Sequence, residues 1–149
     1  MSATDMVITT SAEETEQLGM RIAAELEPGD LILLNGEVGA GKSTLIRSAM
    51  RSLGVRGAIP SPTFTIGRTY TGDLPVSHMD FHRIGSIEAE DPGLLSEYFG
   101  PDRIVFIEWP GDDETVLALY ANRVRTISIT HAGGDSRRVE IGPVRLSPQ

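Results

Sequence analysis

A chain of 149 residues with 40% apolar content has room for one globular domain with a substantial core. The absence of cysteine excludes disulfides, thiolate metal sites and cysteine nucleophiles, and argues against redox chemistry or a structural zinc. A net charge of −8 and a pI near 4.8 oppose a broad grip on polyphosphate backbones, so DNA is not an expected partner and any RNA contact would need a partner's basic surface.

In chain order, Met6 to Thr10 reads as a short strand, and Ser11 with Glu14 has capping-box spacing for a helix that puts Leu18, Ile22 and Leu26 on one face. Pro28-Gly29-Asp30 turns the chain into Leu31-Ile32-Leu33-Leu34, a continuous apolar run expected of a strand buried on both faces. Ser43 to Leu53 carries a helical pattern that stops at Gly54. Ser61-Pro62-Thr63-Phe64 is too proline-constrained for a helix, Thr65 to Tyr70 alternates as a strand before the Gly72-Asp73 turn, and Val76 to Asp80 forms a second central strand. Ile87 to Phe99 is an acidic helical segment broken around Pro92-Gly93, and Arg103 to Ile107 is a buried strand ending at Glu108. Arg123 to Thr130 and Arg137 to Ile141 make a terminal hairpin through Ala132-Gly133-Gly134-Asp135, after which only Leu146 to Gln149 is expected to fray. With no charged-then-apolar leader and no apolar stretch of bilayer length, a cytoplasmic location and no membrane partner are expected.

The most specific feature is Gly36-Glu37-Val38-Gly39-Ala40-Gly41-Lys42-Ser43, a complete G-x-x-x-x-G-K-[ST] phosphate loop that contains the only lysine of the chain. Every other formal cation is arginine, whose planar fork suits bidentate contacts, whereas a compact ammonium fits among converging amides as a point charge. Gly36, Gly39 and Gly41 allow positive φ and close approach of phosphate oxygens, so successive N–H groups form an anion nest. The following helix adds orphan donors and the positive end of its dipole, and Ser43 offers a hydroxyl to Mg²⁺. Buried strand, loop and helix in this order predict an α/β, single-domain P-loop NTPase fold over residues 1–149. A mostly parallel central sheet flanked by helices, with antiparallel hairpins at the edges, is expected.

Ligands of open α/β sheets bind outside the carboxyl ends of strands, which is where Asp80 and Glu108 fall beside the loop. Glu108, after four apolar residues, is a candidate to hold Mg²⁺ or orient an attacking water, and Asp80 has the same candidate roles. His78 and His82 flank Asp80 at two-residue spacing and share a strand face with it, but a Mg²⁺–nucleotide site prefers oxygen ligands and a structural histidine is the commoner reading. Arg83 is equally suited to a phosphate contact and to a solvated salt bridge.

Together, the loop through Thr44, Ser61-Pro62-Thr63-Phe64-Thr65, His78-Met79-Asp80-Phe81-His82-Arg83 and Ile107-Glu108-Trp109-Pro110 resemble the TsaE (YjeE) family of bacterial ATPases in order and spacing from about Met6 to Pro110, and more weakly through the hairpin. The resemblance implies a part in making threonylcarbamoyladenosine on tRNAs that read codons beginning with A, with ATP and Mg²⁺ as cofactors. It implies the TsaD and TsaB proteins as partners, with tRNA met only through their complex. By position, Gly39, Ala40, Gly41, Lys42, Ser43 and Thr44 would contact the phosphates, and Ser43 and Glu108 would hold Mg²⁺. Asp80 would serve hydrolysis, Thr63 would sense the γ-phosphate, and Ser11 with Thr15 would lie toward the base. The family usually carries tyrosine in place of His82 and threonine in place of Ser43; serine keeps the hydroxyl.

Two other readings of the loop are a small-molecule kinase and a nucleotide-gated assembly module with little catalysis. A kinase of this size brings an arginine-rich lid, and the chain has no arginine between Glu108 and Arg123. A GTPase would need an Asn-Lys-x-Asp motif, which a sole lysine inside the phosphate loop forbids.

Overall fold

The computed structural model describes residues 4–37, 39–59, 67–81 and 92–147. The expectations on Val38, on Ser61 to Thr65, on His82 and Arg83 and on Ile87 to Asp91 lie outside the described residues. The elements are β1 (Asp5–Thr9), α1 (Ala12–Ala24), β2 (Asp30–Gly36), α2 (Lys42–Ser52), β3 (Gly67–Thr71), β4 (Pro75–Asp80), α3 (Pro92–Ser96), β5 (Ile104–Glu108), a 3-10 turn (Gly111–Asp113), α4 (Glu114–Ala118), β6 (Arg123–His131), β7 (Arg137–Ile141) and β8 (Arg145–Leu146).

The apolar run in β2 divides its side chains between two cores. Ile32 and Leu34 join Leu18, Ile22, Leu45, Ile46 and Phe106 on the face covered by α1 and α2, while Leu31 and Leu33 join Met79, Val105, Ile107 and Leu117 on the face toward α3 and α4. All four β2 residues are at most 1% exposed, and each such burial contributes about 1.5–3 kcal/mol. Among the described residues the sheet runs β1-β7-β6-β2-β5-β4-β3, with β8 paired to β6. Pairing is parallel from β6 through β2 and β5 to β4, and antiparallel for β1, β7 and β6 at one side and β3 with β4 at the other. The fold is thus mixed α/β, with its parallel part confined to the centre. The sequence pattern contained no hint that β1 would add to the terminal hairpin, because that pairing joins opposite ends of the chain.

Local chemistry accounts for most boundaries. Ser11 caps α1, its Oγ accepting the Glu14 N–H at 3.2 Å. The reciprocal half of the expected capping box lands one residue earlier: Glu14 Oε1 accepts the Thr10 N–H at 2.6 Å and the Thr10 hydroxyl at 2.8 Å, and these bonds hold its carboxyl below the usual glutamate range. Asp30 closes the turn before β2 by accepting the Glu27 N–H, and takes a two-pronged bond from Arg123 Nε and Nη2 at 2.8 and 2.7 Å. Helix α2 stops at Leu53, followed by Gly54 at φ +90°.

Pro92-Gly93 opens the short α3, where proline at a first helical position sacrifices no bond. Between β5 and β6, where no element was expected, the chain runs through the 3-10 turn into α4, where Leu117 is fully buried. Of the tail expected to fray, Leu146 and Ser147 are held, while Pro148 and Gln149 lie outside the described residues: β8 pairs with β6, the Ser147 N–H reaches Asn122 O at 2.9 Å and its hydroxyl reaches Ala118 O at 2.6 Å. Leu146 is 81% exposed, so backbone and hydroxyl bonds, not apolar burial, hold this end.

Helices α1 and α2 meet at Gly19, where a Cβ would overlap the Ser48 hydroxyl and stand 2.6 Å from the Leu45 carbonyl oxygen. Gly19→Val is therefore expected to lower stability by about 1–3 kcal/mol in denaturant titration. An unchanged midpoint would mean that the two helices are not packed this closely.

Candidate functional site

Three strand ends lie side by side in the centre of the sheet. The parallel register pairs Leu34 with Glu108 and Glu108 with Asp80, so the last residues of β4 and β5 stand in one row with the point where β2 runs out into the loop. The register therefore brings together the loop and the two acids singled out from sequence.

Within the loop, Gly39 and Gly41 take φ of +77° and +102°, the left-handed region that favours glycine. A Cβ at Gly39 would meet nothing within 4 Å, so that side of the loop is open. Gly36 is glycine for a different reason: a Cβ there would overlap the Ile129 carbonyl of β6, which makes it a packing requirement rather than a ligand approach. Gly41 is the N-cap of α2 and no side chain caps the helix. The amides of Gly41, Lys42, Ser43 and Thr44 consequently have no intrahelical carbonyl to bond and face the positive end of the dipole, a ready anion site. Ala40 is 1% exposed and its N–H is spent internally on Glu37 O at 3.1 Å.

Lys42 is held in the middle of this arrangement. Its Nζ donates to Gly36 O at 2.7 Å and Glu37 O at 3.2 Å and lies 4.1 Å from the centroid of the Trp109 ring. Burial pushes the ammonium pKa down, and the carboxylates of Glu108 and then Asp80 pull it back up. Trp109 follows Glu108 and has φ +56°, a left-handed conformation that costs about 1–3 kcal/mol for a non-glycine residue. The strain is offset by its N–H bond to Leu34 O at 3.0 Å and by the ammonium over its indole face.

Glu108 is 5% exposed and is not alone. His78 Nε2 lies 2.7 Å from Glu108 Oε2, with the two side chains 3% and 7% exposed. His78 Nδ1 is buried with no partner among the described residues, an arrangement that costs about 1–3 kcal/mol. The histidine noted from sequence for its spacing to Asp80 thus reaches across to β5 instead. His82 lies outside the described residues, and among those described no three acidic or histidine side chains gather as a metal cage. That does not exclude Mg²⁺, which commonly takes one or two carboxylates plus phosphate oxygens and water; the Ser43 hydroxyl and Glu108 are oxygen donors of the required kind.

A cleft of about 340 Å³ extends from the loop, lined by Ser11, Thr15, Gly41, Thr44, Asp135 and Arg137 among others. Ser11 and Thr15 thus adjoin the start of α2, and Thr15 is held by a 2.8 Å hydroxyl bond to Thr9. Sequence reasoning missed Asp135 and Arg137. Arg137 Nη1 bonds Gly134 O and Ser136 O, both at 2.9 Å, and its Nε stands 3.9 Å from where a Cβ of Gly41 would be. An arginine opening a terminal strand carries no local signal of this; only the hairpin's position over α2 creates it.

Comparison with known proteins identifies the family. A family model described as threonylcarbamoyl adenosine biosynthesis protein TsaE matches residues 9–139. The chain is 38% identical over 132 residues to the tRNA threonylcarbamoyladenosine biosynthesis protein TsaE of Bacillus subtilis, covering 88% of this chain and 80% of the relative. It is 42% identical over 125 residues to the protein of the same description from Streptomyces coelicolor, covering 80% and 81%. Among solved structures, Bacillus subtilis YdiB superposes with a TM-score of 0.74 at 28% identity, covering 98% of this chain and 88% of that one.

Because Lys42 is the only lysine, its side chain gives a single resonance in a lysine-labelled NMR sample. Its titration midpoint is expected below that of an ordinary lysine, and Glu108→Gln is expected to lower it further by removing the larger of the two favourable charges. A midpoint at the ordinary value, or one unmoved by Glu108→Gln, would contradict the charge arrangement.

Proposed function

Because the chain belongs to the threonylcarbamoyl adenosine biosynthesis protein TsaE family, whose members take part in making that tRNA modification, we propose that it is an Mg²⁺-dependent ATPase serving the modification as an accessory to the TsaB and TsaD proteins. The observation that carries the reading is the meeting of an uncapped helix N-terminus, a buried solitary ammonium and two carboxylates at one end of parallel strands. The order β2, glycine loop, α2, with acids at the tips of neighbouring strands, supports a single-domain P-loop NTPase fold.

The chain's own groups divide the work. The amides from Gly39 to Thr44, other than the internally bonded Ala40 N–H, hold phosphate oxygens, and Lys42 exchanges its carbonyl partners for them as a point charge. Ser43 and Glu108 hold Mg²⁺, which when bound neutralises charge on the phosphate oxygens. Asp80 orients water and takes its proton while the water oxygen bonds to the γ-phosphorus and the bridging bond to the β-phosphate breaks, leaving ADP and phosphate. Ser11 and Thr15 face the nucleoside, and Arg137 contributes a second cation beside α2. The net charge of −8 leaves tRNA to be gripped by the partners, and the protein to work in the cytoplasm where tRNA is matured. No helix among the described residues is long and apolar enough to cross a membrane.

Lys42→Ala is expected to abolish ATP binding in a calorimetric titration, and an unchanged affinity would refute the site. Glu108→Ala should cut Mg²⁺-dependent hydrolysis more than nucleotide binding. Nucleotide addition should change the fluorescence of Trp109, the only tryptophan, since it displaces the ammonium from the indole face. For the pathway role, tRNA modification reconstituted from TsaB, TsaD, tRNA and small substrates should depend on this chain and on its Lys42; full modification without it would reject that role.

A further inference from the structure

We propose that His78 is a positioning residue that sets the Glu108 carboxylate for the divalent cation, by engaging one of its two oxygens and leaving the other for the ion. The inference rests on the nucleotide reading above and concerns a residue that reading does not use. His78 lies on β4 directly across from Phe106 of β5, as Asp80 lies across from Glu108. Parallel neighbours in register point the same way, and Phe106 packs into the core under α1 and α2, so His78, Asp80 and Glu108 share the face that carries α2. The ring is therefore buried beneath the acid on the loop side of the sheet.

A histidine kept only for packing would be expected to bond backbone at one or both nitrogens. Here Nε2 is given to Glu108 Oε2 at 2.7 Å, and Nδ1 is buried without a partner among the described residues. The Nε2–H tautomer fits this geometry: it donates to the carboxylate and leaves a bare lone pair, rather than a second orphan N–H, at Nδ1. Phe106 and Arg68 lie across from His78 on the two flanking strands, and the polar contact its ring makes is the acid.

The consequence for the acid is geometric. An unrestrained carboxylate next to Lys42 can swing onto the ammonium or present both oxygens at once. Mg²⁺ tolerates neither, since it demands near-ideal octahedral geometry and shares its shell with phosphate and water. With one oxygen fixed by His78, Glu108 offers a single oxygen at a set place and stays off the lysine. Outer partners that orient a metal-binding carboxylate typically change metal affinity by about tenfold to a hundredfold when removed.

The test is calorimetric titration of ATP into the full chain, in Mg²⁺ and in EDTA. For His78→Leu, the gain in ATP affinity that Mg²⁺ confers should fall by about tenfold or more, while affinity in EDTA stays within about twofold. His78→Gln, whose longer amide can donate where Nε2 does, should retain most of the gain, and His78→Asn, too short to reach, should lose it. In a Glu108→Gln background His78→Leu should add nothing further. Should the leucine variant fail to fold, the contrast between glutamine and asparagine decides alone. An unchanged Mg²⁺ gain in His78→Leu, equal behaviour of Gln and Asn, or the same loss in EDTA as in Mg²⁺ would overturn the proposal. If wild type shows a Mg²⁺ gain that Glu108→Gln removes and His78→Leu does not, only the positioning role falls. If wild type shows no gain at all, the nucleotide reading falls with it.

Discussion

The parallel pairing of β2, β5 and β4 is the constraint from which the site follows. It aligns Leu34, Glu108 and Asp80 across three strands, so two carboxylates and the start of a glycine loop arrive at one place without any long side chain having to span a gap. A slip of one residue in β4 or β5 would turn its acid to the opposite face and its apolar neighbours out of their core. The apolar side chains that alternate between the two cores thus also fix where the charges stand. Core packing and charge placement are two outcomes of one register.

Around that row one ammonium stands against two carboxylates. The ammonium of Lys42 is buried yet bonded to two carbonyls, covered by an indole and drawn by two carboxylates. In the proposed function such an arrangement would need little reorganisation to exchange carbonyl oxygens for phosphate oxygens, the condition under which buried electrostatics favour a transition state most. The left-handed Trp109 and the half-bonded His78 are the two local departures from ordinary chain geometry or polar satisfaction here. Both touch Glu108, one through the peptide bond and one through its carboxylate. Strain gathered at one acid fits a site where placement matters more than stability.

The rest of the cleft comes from the two ends of the chain. β1 pairs with β7, which carries Arg137 at its start, and α1 follows β1 immediately, so Ser11 and Thr15 come to the side of α2 where the hairpin turn also lies. Gly19 lets α1 press against α2 and fixes the width of that side. A segment of the chain far from the glycine loop in sequence is thereby made part of its surroundings.

Much of this was legible in the residues alone, wherever the cause is local. The apolar run at Leu31 requires a doubly buried strand, the glycines and Lys42 specify the loop, Ser11 caps a helix, and Glu108 ends its strand where an apolar run stops. Each of these depends on neighbours within a few positions, which periodicity and turn chemistry report. What only the folded chain decided depends on contacts between distant segments. These are the His78 bond to Glu108, the lysine lying on Trp109, the approach of Arg137 to Gly41, the addition of β1 to β7, and the ordering of the tail through Ser147. Sequence spacing does not encode which strand will lie beside which, so a histidine two residues from one acid gave no sign that it would hold the other.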